Sequence, residues 1–235
     1  MNILAIDTST EIMSLALSAD GNTWHVEINA GARHSELLMD WIDKIFASAG
    51  LGPKNMDAVI CMKGPGSFTG LRIGYSAAKG FCAALGIPLL TVPTLDCIAA
   101  PASVWPGLVL PVLDAKKNSF FAALYRGGNK LTDYMDADAE KIGNLVKTLR
   151  NDPDEPLFIT GNGAKLLVSR IENPDKWGIF SIDPDFTRGR AVEMLQCMET
   201  LNKHENCDIL DMKEDLYSGP LYIRQSDAEL NRIDN

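Results

Sequence analysis

The segment Lys63-Gly64-Pro65-Gly66-Ser67-Phe68-Thr69-Gly70-Leu71-Arg72-Ile73-Gly74 constrains this 235-residue chain more than any other. It follows the apolar run Ala58-Val59-Ile60-Cys61-Met62 and leads into an apolar helical stretch ending near Leu85, so strand, glycine-rich turn and helix must succeed one another here. Such a junction has two physical uses. The first amides of a helix lack intrahelical partners and the positive end of its macrodipole lies there, which suits a phosphate. Glycines at the same place also let two backbones pack closely with no ligand at all. The known phosphate loops do not fit. A Walker loop starting at Gly64 needs Gly and Lys where the chain has Thr69 and Gly70, and the dinucleotide fingerprint lacks its third glycine at Thr69. Both uses stay open at this point.

Upstream, Asn2 to Thr8, Ile12 to Ser18 and Trp24 to Ile28 read as strands, with Asp20-Gly21-Asn22 as the hairpin turn between the second and third. The polar turn Asp7-Thr8-Ser9-Thr10-Glu11 joins the first two and carries groups able to bond a phosphate or their own backbone. A helix follows over Arg33 to Ala49, then the strand at Ala58, the helix Phe68 to Leu85 and a strand at Ile87 to Val92. The order β-β-β-α-β-α-β predicts a mixed sheet flanked by helices. Ser103-Val104-Trp105-Pro106-Gly107 interrupts the pattern, which places a first lobe at residues 1–103 and a smaller second lobe at 104–235, its last long helix packing back on the first. The second lobe offers strands at Leu108 to Leu113, Ser119 to Tyr125 and Leu157 to Thr160, and helices at Ala137 to Arg150, Ala164 to Ile171 and Arg190 to Asn202. No internal repeat is evident.

Composition excludes several functions. A net charge of −9 argues against a dedicated nucleic-acid binder, which normally presents a basic face. No apolar run reaches the roughly 18 residues of a membrane-spanning helix, and the start Met1-Asn2-Ile3-Leu4-Ala5-Ile6-Asp7 lacks a basic flank, so a cytoplasmic protein is expected. Five cysteines without a Cys-x-x-Cys pair predict reduced core residues rather than a disulfide framework or zinc ribbon. Three histidines without a His-x-x-x-His spacing offer no preformed metal site.

The two first-lobe helices carry more apolar surface than one core needs. At 100° per residue the apolar side chains of the first cover roughly 200°, about twice the stripe of an ordinary surface helix. The second is apolar almost all round and rich in Gly and Ala. The surplus predicts either a second layer within the domain or a partner chain.

A polar turn between the first two of three antiparallel strands, followed by helices and parallel strands and a second lobe, resembles the two-lobed actin-like ATPase and sugar-kinase architecture, in which each lobe is built on a ribonuclease-H-like mixed sheet. Within that superfamily the chain closely resembles the TsaB (YeaZ) family, on Ile6-Asp7-Thr8-Ser9-Thr10, His34-Ser35-Glu36, the Gly64-to-Gly74 motif, Asp114-Ala115-Lys116-Lys117, Gly161-Asn162-Gly163-Ala164 and Pro220-Leu221-Tyr222-Ile223-Arg224. Lys116-Lys117 departs from the arginines more usual there. The resemblance implies a non-catalytic scaffold that activates TsaD in forming N6-threonylcarbamoyladenosine on tRNA, as a heterodimer with TsaD, with TsaE in a ternary complex and as a homodimer otherwise. Transfer RNA is then bound mainly by the complex, and ATP and metal enter through the partners, with no cofactor on this chain. TsaD carries a metal-binding His-x-x-x-His pair where this chain has Thr94 and Ile98, neither of which supplies an imidazole.

The resemblance also assigns the shared core and interface positions Leu37, Leu38, Trp41, Ile45, Leu71, Gly74, Tyr75 and Ala78, with His34, Arg72 and Lys79 at the rim. Two alternatives compete. A nucleotide-binding phosphotransferase or ATPase would use Asp7, Thr8, Ser9, Gly64, Gly66, Ser67, Asp114, Gly161 and Gly163 around a phosphate. A peptidase would rest on His34-Ser35-Glu36 alone, where adjacent helical side chains point 100° apart and do not pair.

Overall fold

The computed structural model describes residues 1–171, 177–197 and 218–224. The chain divides into two compact units, Met1–Cys97 with Gly189–Leu221, and Ile98–Arg188 with Tyr222–Asn235. The division falls at Cys97, not at residue 103, because the Pro-Gly punctuation marks where the next strand begins rather than where packing changes partner. Of the helix expected at Arg190 to Asn202, residues 191–197 are helical, and 198–202 lie outside the described residues, as does most of the acidic tail.

The first unit opens with β1 (Ile3–Asp7), β2 (Ile12–Ala19) and β3 (Asn22–Asn29). They pair antiparallel, and the two-residue loop between Ala19 and Asn22 has Asp20 at φ 49° and Gly21 at φ 76°, the backbone a tight hairpin demands. Helix α1 (His34–Ala49) leads to β4 (Ala58–Gly64), parallel to β1; helix α2 (Phe68–Leu85) leads to β5 (Leu89–Pro93), parallel to β4. The sheet order is β3-β2-β1-β4-β5. Alternate strand residues sort to two faces, as the two-residue side-chain period requires. Leu4 and Ile6 of β1 meet Leu38, Ile42, Phe46, Tyr75 and Ala78 of α1 and α2. Ile3 and Ala5 meet Cys97, Ala191, Met194 and Leu195 on the other side. Cys97 belongs to α3 (Thr94–Ala99), a short helix absent from the sequence expectations because six residues hold too little periodicity to see.

The second unit repeats the plan. Strands β6 (Leu108–Asp114), β7 (Phe120–Ala122) and β10 (Met135–Ala137) pair antiparallel, with a small hairpin of β8 (Tyr125–Arg126) and β9 (Asn129–Lys130) inserted and paired to β6. Helix α4 (Ala139–Leu149) leads to β11 (Leu157–Thr160), parallel to β6, and α5 (Ala164–Ser169) to β12 (Phe180–Ile182), parallel to β11. The order β10-β7-β6-β11-β12 is that of the first unit, which the absence of a sequence repeat concealed. The strand expected over Ser119 to Tyr125 is two strands, and α4 begins two residues later than expected because Asp138 caps it, accepting from the Lys141 amide at 2.8 Å.

Candidate functional site

Helix α2 has two distinct faces, and the residues singled out in the sequence distribute between them. Its start is capped by Ser67, whose hydroxyl accepts from the Gly70 amide at 3.2 Å. The Ser67 amide donates to the Ser9 carbonyl at 2.7 Å. Thr8 Oγ1 donates to the Gly70 carbonyl at 2.7 Å. The polar turn after β1 is thus pressed directly against the start of α2. A Cβ at Gly70 would overlap the Thr8 carbonyl oxygen, and one at Gly74 would overlap Thr8 Oγ1. The glycine row of this helix fits a neighbouring backbone, with the chain's own turn lying where a phosphate was a candidate.

Asp7, Thr8 and Ser9 are all buried. One Asp7 carboxylate oxygen accepts from the Ser9 amide (2.9 Å) and hydroxyl (2.7 Å), and the other from the Arg190 amide at 3.0 Å. Burial raises the Asp7 carboxyl above its ordinary value, and these hydrogen bonds, with the Arg190 charge, pull against it. Gly64 ends β4 and Gly66 lies against Ser9, where an added Cβ would stand 2.6 Å from the Ser9 carbonyl oxygen. Asp114, Gly161 and Gly163 belong to the second unit. There Asp114 accepts from the Lys116 amide at 2.8 Å and pairs with its ammonium at 2.9 Å, which holds the carboxyl below its ordinary value against partial burial. The amide of Gly163 donates to the Val112 carbonyl at 3.0 Å, seating the β11–α5 turn on β6.

The interface positions need correction. Leu38, Ile45, Leu71, Gly74, Tyr75 and Ala78 are buried inside the first unit, so they support a surface rather than form one. Tyr75 is only 3% exposed. His34 is buried too, and its Nε2 has no hydrogen-bond partner among the described residues. It is neither a rim residue nor a helix cap, because Arg33 occupies the N-cap position and makes no side-chain cap bond. Ser35, its neighbour, is exposed, so the pair offers no nucleophile and base on one face. Leu37 and Trp41 are half-buried against the core, and the surplus apolar arc of α1 is largely absorbed there. Lys79 lies over the Tyr75 ring at 5.5 Å and donates to the Ser218 carbonyl.

Among the described residues, a groove of about 620 Å³ runs between α1 and α2. Met39, Phe68, Ile73 and Ala77 supply its apolar wall, Ser35, Thr69 and Ser76 its polar points, and Leu38 its floor. Arg72 is exposed on its edge with the guanidinium 3.8 Å above the Phe68 ring. Met39 is 49% exposed and Phe68 36%. From the sequence, Leu38 and Arg72 were assigned to the interface, Met39 to the surplus apolar arc of α1 and Ser35 to the helix start and interface rim, whereas Phe68, Thr69, Ile73, Ser76 and Ala77 were not singled out for it. A usable signal existed: Gly70, Gly74 and Ala78 form one row at four-residue spacing, and the neighbouring rows Phe68, Arg72, Ser76 and Thr69, Ile73, Ala77 must then face away.

Thr94 and Ile98, at the positions of the metal-binding pair in TsaD, are both buried. Among the described residues no group of three His, Cys, Asp or Glu side chains converges to hold a metal ion, and the residues present do not fit that metal. No described helix is long and apolar enough to cross a membrane.

Residues 28–164, more than half of the chain, match the family described as TsaD, tRNA N6-adenosine threonylcarbamoyltransferase. The chain is 29% identical over 175 residues to the tRNA threonylcarbamoyladenosine biosynthesis protein TsaB of Bacillus subtilis, covering 74% of this chain and 76% of that protein. To the protein of the same name from Buchnera aphidicola it is 33% identical over 145 residues, covering 62% and 68%. Its structure is similar to that of YeaZ from Pseudomonas aeruginosa, with a TM-score of 0.75 at 21% identity over 94% of this chain and 99% of that one, which establishes the same fold. The glycine row of α2 seated on the first turn, the repeated mixed sheet and these matches agree: the chain belongs to the TsaB (YeaZ) family, within the wider group of TsaD-related proteins.

Proposed function

We propose that this protein serves N6-threonylcarbamoyladenosine formation on tRNA in the cytoplasm as a non-catalytic partner, docking a TsaD-type threonylcarbamoyltransferase on the α1–α2 groove. The observation that carries this is the groove itself. It gathers the exposed Met39 and Phe68 beside an arginine in one groove, the composition of an interface anchor rather than of scattered surface. The TsaD-type match spans both helices, so such a partner carries a comparable helix pair, and like can pack on like about a pseudo-twofold axis. The same geometry accommodates a second copy of this chain when the transferase is absent.

The absence of imidazoles at Thr94 and Ile98, and the engagement of Asp7 and Ser67 inside the first unit, favour a partner over an independent catalyst. ATP, metal and TsaE enter through the complex, and the acidic chain leaves most tRNA contact to its partners. Activation follows if the groove binds the productive conformation of the transferase more tightly than others, since only differential binding shifts a population.

Reconstitution tests this. Threonylcarbamoylation of tRNA by the transferase should fall at least about tenfold when this chain is omitted, the scale of a lost coupling of about 1.4 kcal/mol. Modification by this chain alone, without a transferase, would contradict the proposal.

A further inference from the structure

Four cysteines are described, and they occupy two different environments. Cys61 and Cys82 lie in the core between the sheet and the α1–α2 pair, and burial pushes the Cys82 thiol up to about 11. Cys82 therefore carries no appreciable thiolate at neutral pH. Cys97 and Cys197 are on the opposite side of the first sheet. Cys97 sits on α3, fully buried; Cys197 sits in the helical residues 191–197, packed against the same cluster but partly open to solvent. The two side chains pack in that one cluster, and each has the other as its side-chain hydrogen-bond partner. Cys97 Sγ also lies 3.7 Å from the Arg190 carbonyl oxygen, which keeps a second acceptor beside its proton.

We propose that Cys97 and Cys197 form a reversible thiol–disulfide site, oxidised by hydroperoxides, with Cys197 as the attacking sulfur and Cys97 as the resolving one. The division of labour follows from access and from proton placement. Cys197 is the member a small oxidant can reach. The hydrogen bond from Cys97 lowers its thiol below the ordinary value despite partial burial and the nearby Asp96 and Glu193 carboxylates. Cys97 is held well above the ordinary value, first by burial and then by the neighbouring sulfur, and so retains its proton until its partner is oxidised.

The chemistry balances in two steps. The Cys197 thiolate attacks one oxygen of the hydroperoxide; an S–O bond forms, the O–O bond breaks, and the departing alkoxide or hydroxide takes a proton to leave as alcohol or water, giving the sulfenic acid. Cys97 then attacks the sulfenic sulfur, an S–S bond forms, and hydroxide leaves with the Cys97 proton as water. A thiol reductant reverses the bond. Disulfides in reducing compartments are characteristically of this transient, sensing kind, so the site is compatible with a cytoplasmic protein. The cross-link would tie α3 to the helix whose preceding residue, Arg190, donates its amide to Asp7, on the side of the sheet away from the docking groove.

The test uses the full-length chain, exposed in its native state to hydrogen peroxide, then denatured, alkylated and digested for mass spectrometry without reduction. The expected product is one linked pair of peptides holding Cys97 and Cys197, lighter by two hydrogens and restored by dithiothreitol, with Cys61 and Cys82 alkylated. Cys197→Ser should abolish the link and leave Cys97 reduced. Cys97→Ser should leave Cys197 as a sulfenic acid that dimedone captures; should this buried substitution not fold, the wild-type and Cys197→Ser results decide alone. The proposal is overturned if wild-type Cys197 passes to the sulfinic acid without linking to Cys97, if it stays reduced while peroxide is consumed elsewhere, or if the link joins a different cysteine.

Discussion

The two faces of α2 are built from adjacent rows of the same eighteen residues, and they do opposite things. On the inner face Gly70, Gly74 and Ala78 withdraw every side-chain atom they can, so that the Thr8 carbonyl and hydroxyl lie against the helix backbone. On the outer face Phe68, Arg72 and Ile73 project into a groove that the first unit leaves open. One face is closed by contact too tight for a methyl group. The other lines a groove that no described residue fills. A glycine-rich helix start therefore does not by itself mean a phosphate site: here the glycines serve the protein's own packing, and the proposed docking surface is built from the rows beside them.

Substitutions on the inner face should break the first unit. The largest effect is expected of Gly70→Val, whose Cβ would overlap the Thr8 carbonyl oxygen; overpacking against backbone should cost about 3 kcal/mol or more, read as a lowered urea midpoint. Thr8→Val removes the hydroxyl that donates to the Gly70 carbonyl and leaves a buried acceptor without it, for an expected loss of about 1–2 kcal/mol. Ser67→Ala deletes the helix cap, and about 1 kcal/mol should disappear from the same measurement. Met39→Asp and Phe68→Asp on the outer face should each change stability by no more than about 0.5 kcal/mol, the ordinary range for surface substitutions. An aspartate at position 68 would even stand favourably in the first turn of α2. If outer-face variants destabilised the protein as much as Gly70→Val, the distinction between the faces would be lost.

The fold was largely legible in the sequence because the first unit announces itself: alternating strands, a tight Asp-Gly hairpin and two long helices leave few topologies. The second unit hides the same strand order. Its strands are as short as Phe120–Ala122 and Met135–Ala137, and a two-strand insertion separates them, so pattern gives way to pairing that only tertiary contact fixes. The candidate site was legible to the level of the helices and not of their faces. Apolar arcs count hydrophobic residues without saying what covers them, and Leu37 and Trp41 proved to lie against their own core. Tyr75 shows the cost of that ambiguity: aromatic and at helical spacing, it fits an interface anchor in sequence, yet it is 3% exposed, so Tyr75→Asp tests the core and not the partner. Ser9 and Ser67 were both grouped in the sequence as candidates around a phosphate, and nothing in a one-dimensional pattern distinguishes a turn that grips a phosphate from one that grips its own helix, as the Ser67 amide does on the Ser9 carbonyl.

The central claim is that the α1–α2 groove is the docking surface, and its most direct test is light scattering after size exclusion of this chain mixed with the TsaD of its own organism, comparing wild type with the Met39→Asp, Phe68→Asp double variant. The account predicts a heterodimer with wild type and at least about a tenfold weaker association for the variant, with its denaturation midpoint close to that of wild type. A variant that remains folded and binds the transferase as tightly as wild type would contradict it.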